Sequence, residues 1–127
     1  LAIIKCFLAH NGMFNFEQQC LETEELWFTD WDLGGPFWVK NAKTQHSYNN
    51  SPHLFVDKWN SPLCVIHSEF DFRIVASQGI AAYNAAKLRG LDARYLYFPD
   101  ETHWVLRPQK SLLWHRNFID WFDSHLK

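Results

Sequence analysis

The fold is best read from Ser61-Pro-Leu-Cys-Val-Ile-His-Ser-Glu-Phe-Asp-Phe-Arg-Ile-Val75, which runs from a proline-marked loop through a short apolar run into a polar tip. The four apolar residues 63–66 show no alternation, a pattern typical of a parallel strand that is covered on both faces. Asp71 follows the C-terminal end of this predicted strand. Because functional residues of open α/β sheets collect at the carboxyl ends of strands, Asp71 is a candidate functional residue.

A second strand of the same kind carries a histidine beyond its end. Residues 93–98 contain Tyr95-Leu-Tyr-Phe98, and Pro99-Asp-Glu-Thr102 then leads as a loop to His103. Between the two strands, Ser77 is a candidate N-cap for a helix that continues through Leu88, and Gly90 is typical of a helix stop. A carboxylate and an imidazole are therefore predicted at the ends of two successive strands.

The rest of the chain supplies one more strand and a final helix. Residues 2–9 predict a buried strand that ends at the turn His10-Asn-Gly12, whereas residues 13–43 are aromatic without sustained periodicity, with a short helix possible from Thr23. Residues 49–52 are expected to form a loop. A last helix is predicted over residues 108–126, with Pro108 in its first turn and an apolar side made of Leu112, Leu113, Phe118, Ile119 and Phe122.

This element order predicts one α/β domain. The final four elements read strand, helix, strand, helix, which with right-handed crossovers gives a parallel sheet. The 127 residues carry 12 basic and 14 acidic side chains, a net charge of -2 and no lysine or arginine run. That balance disfavours nucleic acid and anionic lipid as partners. The longest apolar run is broken by Lys5, so no membrane segment or signal peptide is predicted.

Metal and thiol chemistry are not indicated by the sequence. No HExxH pattern or cysteine and histidine spacing typical of zinc sites is present, and no cofactor is predicted. Cys6, Cys20 and Cys64 form no CxxC pair and are expected to be core thiols. Core packing, rather than the lining of a substrate pocket, is also the expected role of five tryptophans: Trp27, Trp31, Trp38, Trp59 and Trp104.

An acid followed along the chain by a histidine is typical of the last two members of a nucleophilic triad. In α/β-hydrolases the order is serine, then aspartate or glutamate, then histidine, and the serine lies in a Gly-x-Ser-x-Gly elbow. Asp71 and His103 fit the acid and the base, with Glu69 as a rival acid nearer to the strand. No serine of this chain is flanked by glycines in that way: Ser47, Ser51, Ser61, Ser68, Ser77, Ser111 and Ser124. The nucleophile is expected outside the chain.

Several motifs together resemble the prolyl oligopeptidase family of serine peptidases, in particular its dipeptidyl-peptidase V-like and acylaminoacyl-peptidase-like branches. They are Ala9-His-Asn-Gly-Met-Phe-Asn15, Thr23-Glu-Glu25, Leu33-Gly-Gly-Pro36, Ser61-Pro-Leu-Cys-Val-Ile-His67, Asp71-Phe-Arg-Ile-Val75, Gln78-Gly79, Tyr97-Phe-Pro-Asp-Glu-Thr-His-Trp-Val-Leu-Arg-Pro108 and Ser111-Leu-Leu-Trp-His115. The resemblance covers essentially the whole chain. One departure is Ser68, where the family pattern has glycine before the loop that contains Asp71.

The resemblance implies a fold and a set of roles. The chain would be the C-terminal portion of an α/β-hydrolase fold, truncated before the nucleophile elbow, with residues 1–127 lacking the nucleophile half and an N-terminal propeller. Asp71 would be the triad acid, His103 the general base and Arg73 a contact for a substrate backbone carbonyl. The implied partners are a peptide substrate and the missing N-terminal part of the same enzyme.

Function is therefore expected to depend on residues outside the chain. The leading interpretation is the C-terminal fragment of a serine peptidase that works through an acyl-enzyme, inactive by itself. Two alternatives remain open at this point: an esterase or lipase of the same fold without a propeller, and a non-catalytic scaffold. If the sheet is cut before residues 3–8, the exposed strand edge also predicts poor solubility or association of the isolated chain.

Overall fold

The computed structural model describes residues 4–127 and contains three parallel strands with helices on both faces. Strand β1 is followed by three short helices and a 3₁₀ segment, and the remainder alternates strictly between strand and helix. The elements are β1 (Phe7–His10), α1 (Phe16–Glu22), α2 (Trp27–Trp31), α3 (Ala42–Asn49), a 3₁₀ segment (Pro52–Lys58), β2 (Leu63–Phe70), α4 (Ala76–Leu88), β3 (Ala93–Thr102) and α5 (Pro108–Leu126).

Strand β2 is the centre of the sheet, as its continuous apolar run predicts. The spatial order is β1-β2-β3, and both pairings are parallel. In register, Cys64 of β2 lies between Leu8 of β1 and Arg94 of β3. The first six residues of β2 are buried, because helices cover both faces of the strand. Because the strands are parallel, the carboxyl ends of all three lie at the same end of the sheet.

Alternate residues of β2 face two different cores. Leu63 and Val65 pack towards α4 with Ala82 and Ala86, whereas Cys64 and Ile66 pack towards α5 with Cys6, Phe98 and Trp121. This is the period-two alternation expected of a strand between two helical layers. Cys6, Cys20 and Cys64 are all buried and free, so their prediction as core thiols is confirmed.

The segment after β1, which the sequence predicts to be largely irregular, contains helices that this prediction missed. Asn15 caps α1 by accepting from the backbone N–H groups of Glu17 and Gln18, and Asn41 caps α3 by accepting from that of Thr44. Both helices are short and neither carries a long apolar stripe, so periodicity could not reveal them. Asparagine caps were the available signal.

Three predicted boundaries are also wrong. Residues 4–6 are not part of the first strand, which the sequence predicts from Ala2 but which is observed over Phe7–His10 because its partner β2 begins only at Leu63; Ala2 and Ile3 lie outside the described residues. Ser77 does not cap α4: the cap is Val75, and the Ser77 hydroxyl donates to Glu22 instead. Residues 99–102 are strand rather than loop, because β3 resumes pairing with β2 after a register shift.

Burial of the large side chains differs from the prediction as well. Trp27, Trp31, Trp38 and Trp104 are more than half exposed, so assigning them to the core is wrong; only Trp59 is partly buried, against the α4 core. The predicted apolar side of α5 is also wrong in part, since Leu112, Leu113 and Ile119 are about half exposed. The buried face of α5 centres on Trp121. Within residues 4–127, no helix is long and apolar enough to cross a bilayer.

Trp121 ties α5 to the sheet and predicts a large stability effect. Its side chain is 1% exposed, and its indole N–H donates to the Phe7 carbonyl at 2.9 Å. Trp121→Ala should lower the free energy of unfolding by about 3–5 kcal/mol, because it leaves a cavity and an unpaired carbonyl. Urea unfolding measures the change. Leu88→Ala is the control, since Leu88 is 90% exposed and its truncation should be nearly neutral. Equal effects of the two substitutions would contradict this packing.

Candidate acid–base site

The carboxyl ends of the three strands bring Asn11, Asp71 and His103 together. The Asp71 carboxylate Oδ2 accepts a hydrogen bond from His103 Nδ1 at 2.8 Å, and the Asn11 amide donates to the His103 carbonyl at 2.7 Å. Asn11 has a positive φ of 49°, which lets the chain turn sharply as β1 ends. The two residues predicted from strand ends are thus in direct contact, although they lie 32 positions apart in sequence.

Asp71 is held on both of its oxygens. While Oδ2 faces His103, Oδ1 accepts from the backbone N–H groups of Arg73 at 3.1 Å and Ile74 at 3.0 Å. The side chain is 1% exposed. Hydrogen bonds to the charged form compensate for its burial and fix the orientation of the carboxylate. The rival acid Glu69 lies on the strand and is exposed, so the structure places Asp71, and not Glu69, against the imidazole.

The contact with Asp71 determines which nitrogen of His103 carries a proton. An ionised carboxylate can only accept, so Nδ1 must be the donor, and the neutral ring then has a lone pair on Nε2. The imidazole is 25% exposed and packs edge-on against Trp104. Within residues 4–127, no hydroxyl group forms a hydrogen bond with His103. This arrangement can take a proton from a hydroxyl brought to Nε2 and return it later.

Arg73 lies beside the same site but is engaged with another side chain. Its guanidinium donates to Glu25 Oε1 at 2.8 Å, and its carbonyl accepts from Gln19 at 2.6 Å. A cavity of about 220 Å³ lies between α1, α2 and the acid loop, the name used here for residues 71–75. Its lining comprises Met13, Gln19, Thr23, Phe28, Thr29, Asp32, Leu33, Arg73, Ile74 and His103. The cavity opens a space next to the imidazole that a side chain of a bound molecule can enter.

A second imidazole, that of His67, lies behind the acid, and sequence reasoning missed it. The ring is fully buried, and Nε2 is 2.6 Å from the Ile74 carbonyl and 3.8 Å from Asp71 Oδ2. Two features of the sequence could have identified His67. It lies four residues before Asp71, and strand alternation places it on the same face of β2 as Leu63 and Val65. Among the residues that the structure describes, no group of three or more histidine, cysteine, aspartate or glutamate side chains could hold a metal ion.

Burial of two imidazoles predicts a loss of stability on acidification. The pKa values of His10 and His67 are lowered from 6.5, in both cases chiefly because burial disfavours the charged ring. Below pH 6.5 the unfolded chain therefore binds more protons than the native one, so the free energy of unfolding should fall as the pH falls. Urea unfolding between pH 7.5 and 5 measures this slope. His67→Gln should flatten it, whereas His46→Gln at an exposed position should not; a pH-independent native stability would contradict the prediction.

Parallel strands covered by helices, with an acid after one strand and a histidine after the next, define the C-terminal portion of an α/β-hydrolase fold. A family model described as the prolyl oligopeptidase family matches residues 2–127. The chain belongs to the prolyl oligopeptidase family, which confirms the resemblance inferred from the motifs.

Individual relatives agree with this assignment. The chain is 54% identical over 123 residues to dipeptidyl-peptidase 5 of Porphyromonas endodontalis, covering 96% of this chain and 18% of that protein. It is 38% identical over 124 residues to dipeptidyl-peptidase 4 of Giardia intestinalis, covering 97% of this chain and 16% of that protein. An uncomplexed acylaminoacyl peptidase of Pyrococcus horikoshii superposes with a TM-score of 0.82 at 23% identity, covering 97% of this chain and 20% of that one. The chain therefore spans less than a fifth of the length of these curated relatives.

Proposed function

We propose that the protein containing this chain is a serine-type peptidase and that the chain supplies the acid and the base of its triad. The observation that carries this proposal is the 2.8 Å hydrogen bond from His103 Nδ1 to the buried Asp71 carboxylate, at the ends of adjacent parallel strands. An acid that fixes the tautomer of an imidazole is the part of a triad that makes Nε2 a general base. The related dipeptidyl-peptidases favour a peptide bond as the target.

In this proposal His103 transfers a proton in both halves of the reaction, the formation of the acyl-enzyme and its hydrolysis. Nε2 takes the hydroxyl proton of a serine as its oxygen attacks the substrate carbonyl, and the resulting imidazolium gives that proton to the leaving amine. Water then attacks the acyl-enzyme, losing its proton to Nε2, and the serine recovers the proton as the acid product leaves. Asp71 stays ionised throughout, because it accepts three hydrogen bonds and stabilises the transient imidazolium.

We further propose that the nucleophile reaches the site from the β1 side of the sheet. In the part of the chain that the structure describes, β1 pairs only with β2, so its other edge can receive a strand. The relatives are more than five times as long as the region they share with this chain. The other partner required by the proposal is thus the remainder of the same enzyme, and the chain by itself should hydrolyse no peptide bond.

Arg73 is proposed to contact a backbone carbonyl of the substrate, with Glu25 holding the guanidinium in place. Loss of one charged hydrogen bond that forms equally in the bound and transition states costs about 1.5–3 kcal/mol and raises KM without lowering kcat. Arg73→Met in the full-length enzyme should therefore raise KM by about tenfold or more. Steady-state kinetics on a dipeptidyl substrate measure the change. Arg89→Met, at an exposed position on the C-terminal end of α4, is the matched control and should leave KM unchanged. An unchanged KM for Arg73→Met would contradict the proposed contact between Arg73 and the substrate.

The proposed activity is tested by turnover of dipeptidyl-coumarin substrates with the full-length protein. The expected result is release of the coumarin that stops when the enzyme is treated with a serine-directed organophosphorus reagent, together with no release by residues 1–127 alone. A full-length protein that is folded but releases no coumarin from any dipeptidyl, tripeptidyl or acylaminoacyl substrate would contradict a peptidase.

A further inference from the structure

We propose that His67 is a positioning residue for Asp71: its Nε2–H holds the Ile74 carbonyl and thereby keeps the acid loop closed around the carboxylate. This inference rests on the proposed function for its effect on turnover, but its geometric part concerns the chain alone. No step of the reaction uses His67 directly.

The first observation is the bond between His67 and Ile74. A carbonyl oxygen can only accept, so the 2.6 Å separation requires a proton on His67 Nε2. The same residue, Ile74, donates its backbone N–H to Asp71 Oδ1 at 3.0 Å. Ile74 is therefore held at both its carbonyl and its amide. One of the two backbone hydrogen bonds to Asp71 Oδ1 thus depends on where His67 places this residue.

The second observation is that His67 has no freedom to rotate away. The ring is fully buried, and it lies so close to Gly79 of α4 that a Cβ atom at that position would come within 2.6 Å of His67 Nδ1. Nδ1 itself has no hydrogen-bond partner. Glycine at position 79 thus makes room for an imidazole, and the buried ring is retained although one of its nitrogens is unpaired.

The third observation is that His67 approaches Asp71 without neutralising it. Nε2 is 3.8 Å from Asp71 Oδ2, beyond hydrogen-bond distance, and its single proton is directed to the Ile74 carbonyl. Burial lowers the pKa of His67, which keeps the ring neutral at physiological pH. The negative charge of Asp71 therefore remains directed at His103, the only side chain with which it forms a hydrogen bond among the described residues.

The test replaces His67 in the full-length enzyme and reads the His103–Asp71 hydrogen bond directly. His67→Leu removes the donor at similar volume, whereas His67→Gln can still place an N–H near the Ile74 carbonyl. The readouts are the strongly low-field proton resonance of the His103 Nδ1–H group, recorded without substrate, and kcat and KM on a dipeptidyl-coumarin substrate.

We expect His67→Leu to weaken or shift the proton resonance and to lower kcat by about tenfold to a hundredfold at nearly constant KM, because misplacing a catalytic group by about 1 Å has effects of this size. His67→Gln should recover most of both readouts. Gly79→Ala, which crowds the ring without removing it, should act in the same direction as His67→Leu and serves as the second variant if His67→Leu does not fold.

Thr44→Val is the control for stability alone. Thr44 is also fully buried and also donates to a loop carbonyl, that of Gly34 at 2.6 Å, but among the described residues it forms no hydrogen bond with Asp71 or Ile74. It should lower the unfolding midpoint without changing the His103 proton resonance. An unchanged resonance and kcat in folded His67→Leu would overturn the positioning role. Absence of turnover in the wild type would instead overturn the proposed function, and the proton resonance would still decide the role of His67.

Discussion

His103→Ala in the full-length enzyme should reduce kcat by about a million-fold, the effect expected when the base of a triad is removed. The reason is geometric: Nε2 is the ring nitrogen of His103 that can accept a hydroxyl proton, since Nδ1 donates to Asp71. Steady-state hydrolysis of a dipeptidyl-coumarin substrate measures the loss, and active-site titration with a serine-directed reagent should show a parallel loss of nucleophile reactivity.

His115→Ala is the matched control for this substitution. His115 is exposed on α5, and within residues 4–127 its hydrogen bonds are all with Ser111 of the same helix. The same truncation there should leave kcat and KM unchanged. A His103→Ala enzyme that retained more than about a hundredth of wild-type kcat would show that another group acts as the base.

Asp71→Asn should reduce kcat by about ten-thousand-fold while the protein stays folded. The asparagine oxygen can replace Oδ1 in accepting from Arg73 and Ile74. Its amide nitrogen then faces His103 Nδ1 as a donor, so the imidazole must present a lone pair there and carry its proton on Nε2. In that tautomer Nε2 cannot accept the hydroxyl proton, so acylation should fail.

Glu69→Gln tests which of the two candidate carboxylates, Asp71 or Glu69, is the acid. Glu69 is exposed and lies two residues before Asp71, so the same change of charge there should leave kcat within about twofold of the wild type, as expected for a surface position. Comparison of kcat between the two variants, with thermal unfolding as a check on folding, decides which carboxylate orients His103. A large loss for Glu69→Gln and a small one for Asp71→Asn would reverse the assignment.

The sheet and the proximity of Asp71 to His103 could be predicted because strong local patterns specify them. The unbroken apolar run before Asp71 identifies a central parallel strand, and parallel strands necessarily bring their carboxyl ends to one edge, which places His103 near Asp71. The sequence motifs around both residues also indicated the family to which the chain belongs. No tertiary information was needed for this part of the fold.

Features that depend on contacts distant in sequence could not be predicted in the same way. The start of β1 is set by where β2 begins, and the continuation of β3 through Pro99 is set by a register shift in its partner. The exposure of Trp31 and Trp104 contradicts what their hydrophobicity favours. The Arg73–Glu25 ion pair joins residues 48 positions apart, and no local pattern reports it.

The central claim, that His103 is the general base, is tested most directly by alkylating the full-length enzyme with a peptidyl chloromethyl ketone and locating the label by mass spectrometry. Nucleophilic attack by Nε2 on the chloromethyl carbon forms a carbon–nitrogen bond and releases chloride. The expected result is one label on the His103 peptide, with loss of turnover in proportion to labelling and protection by substrate. A label on another histidine, such as His10, with His103 unmodified in the inactivated enzyme, would contradict the account.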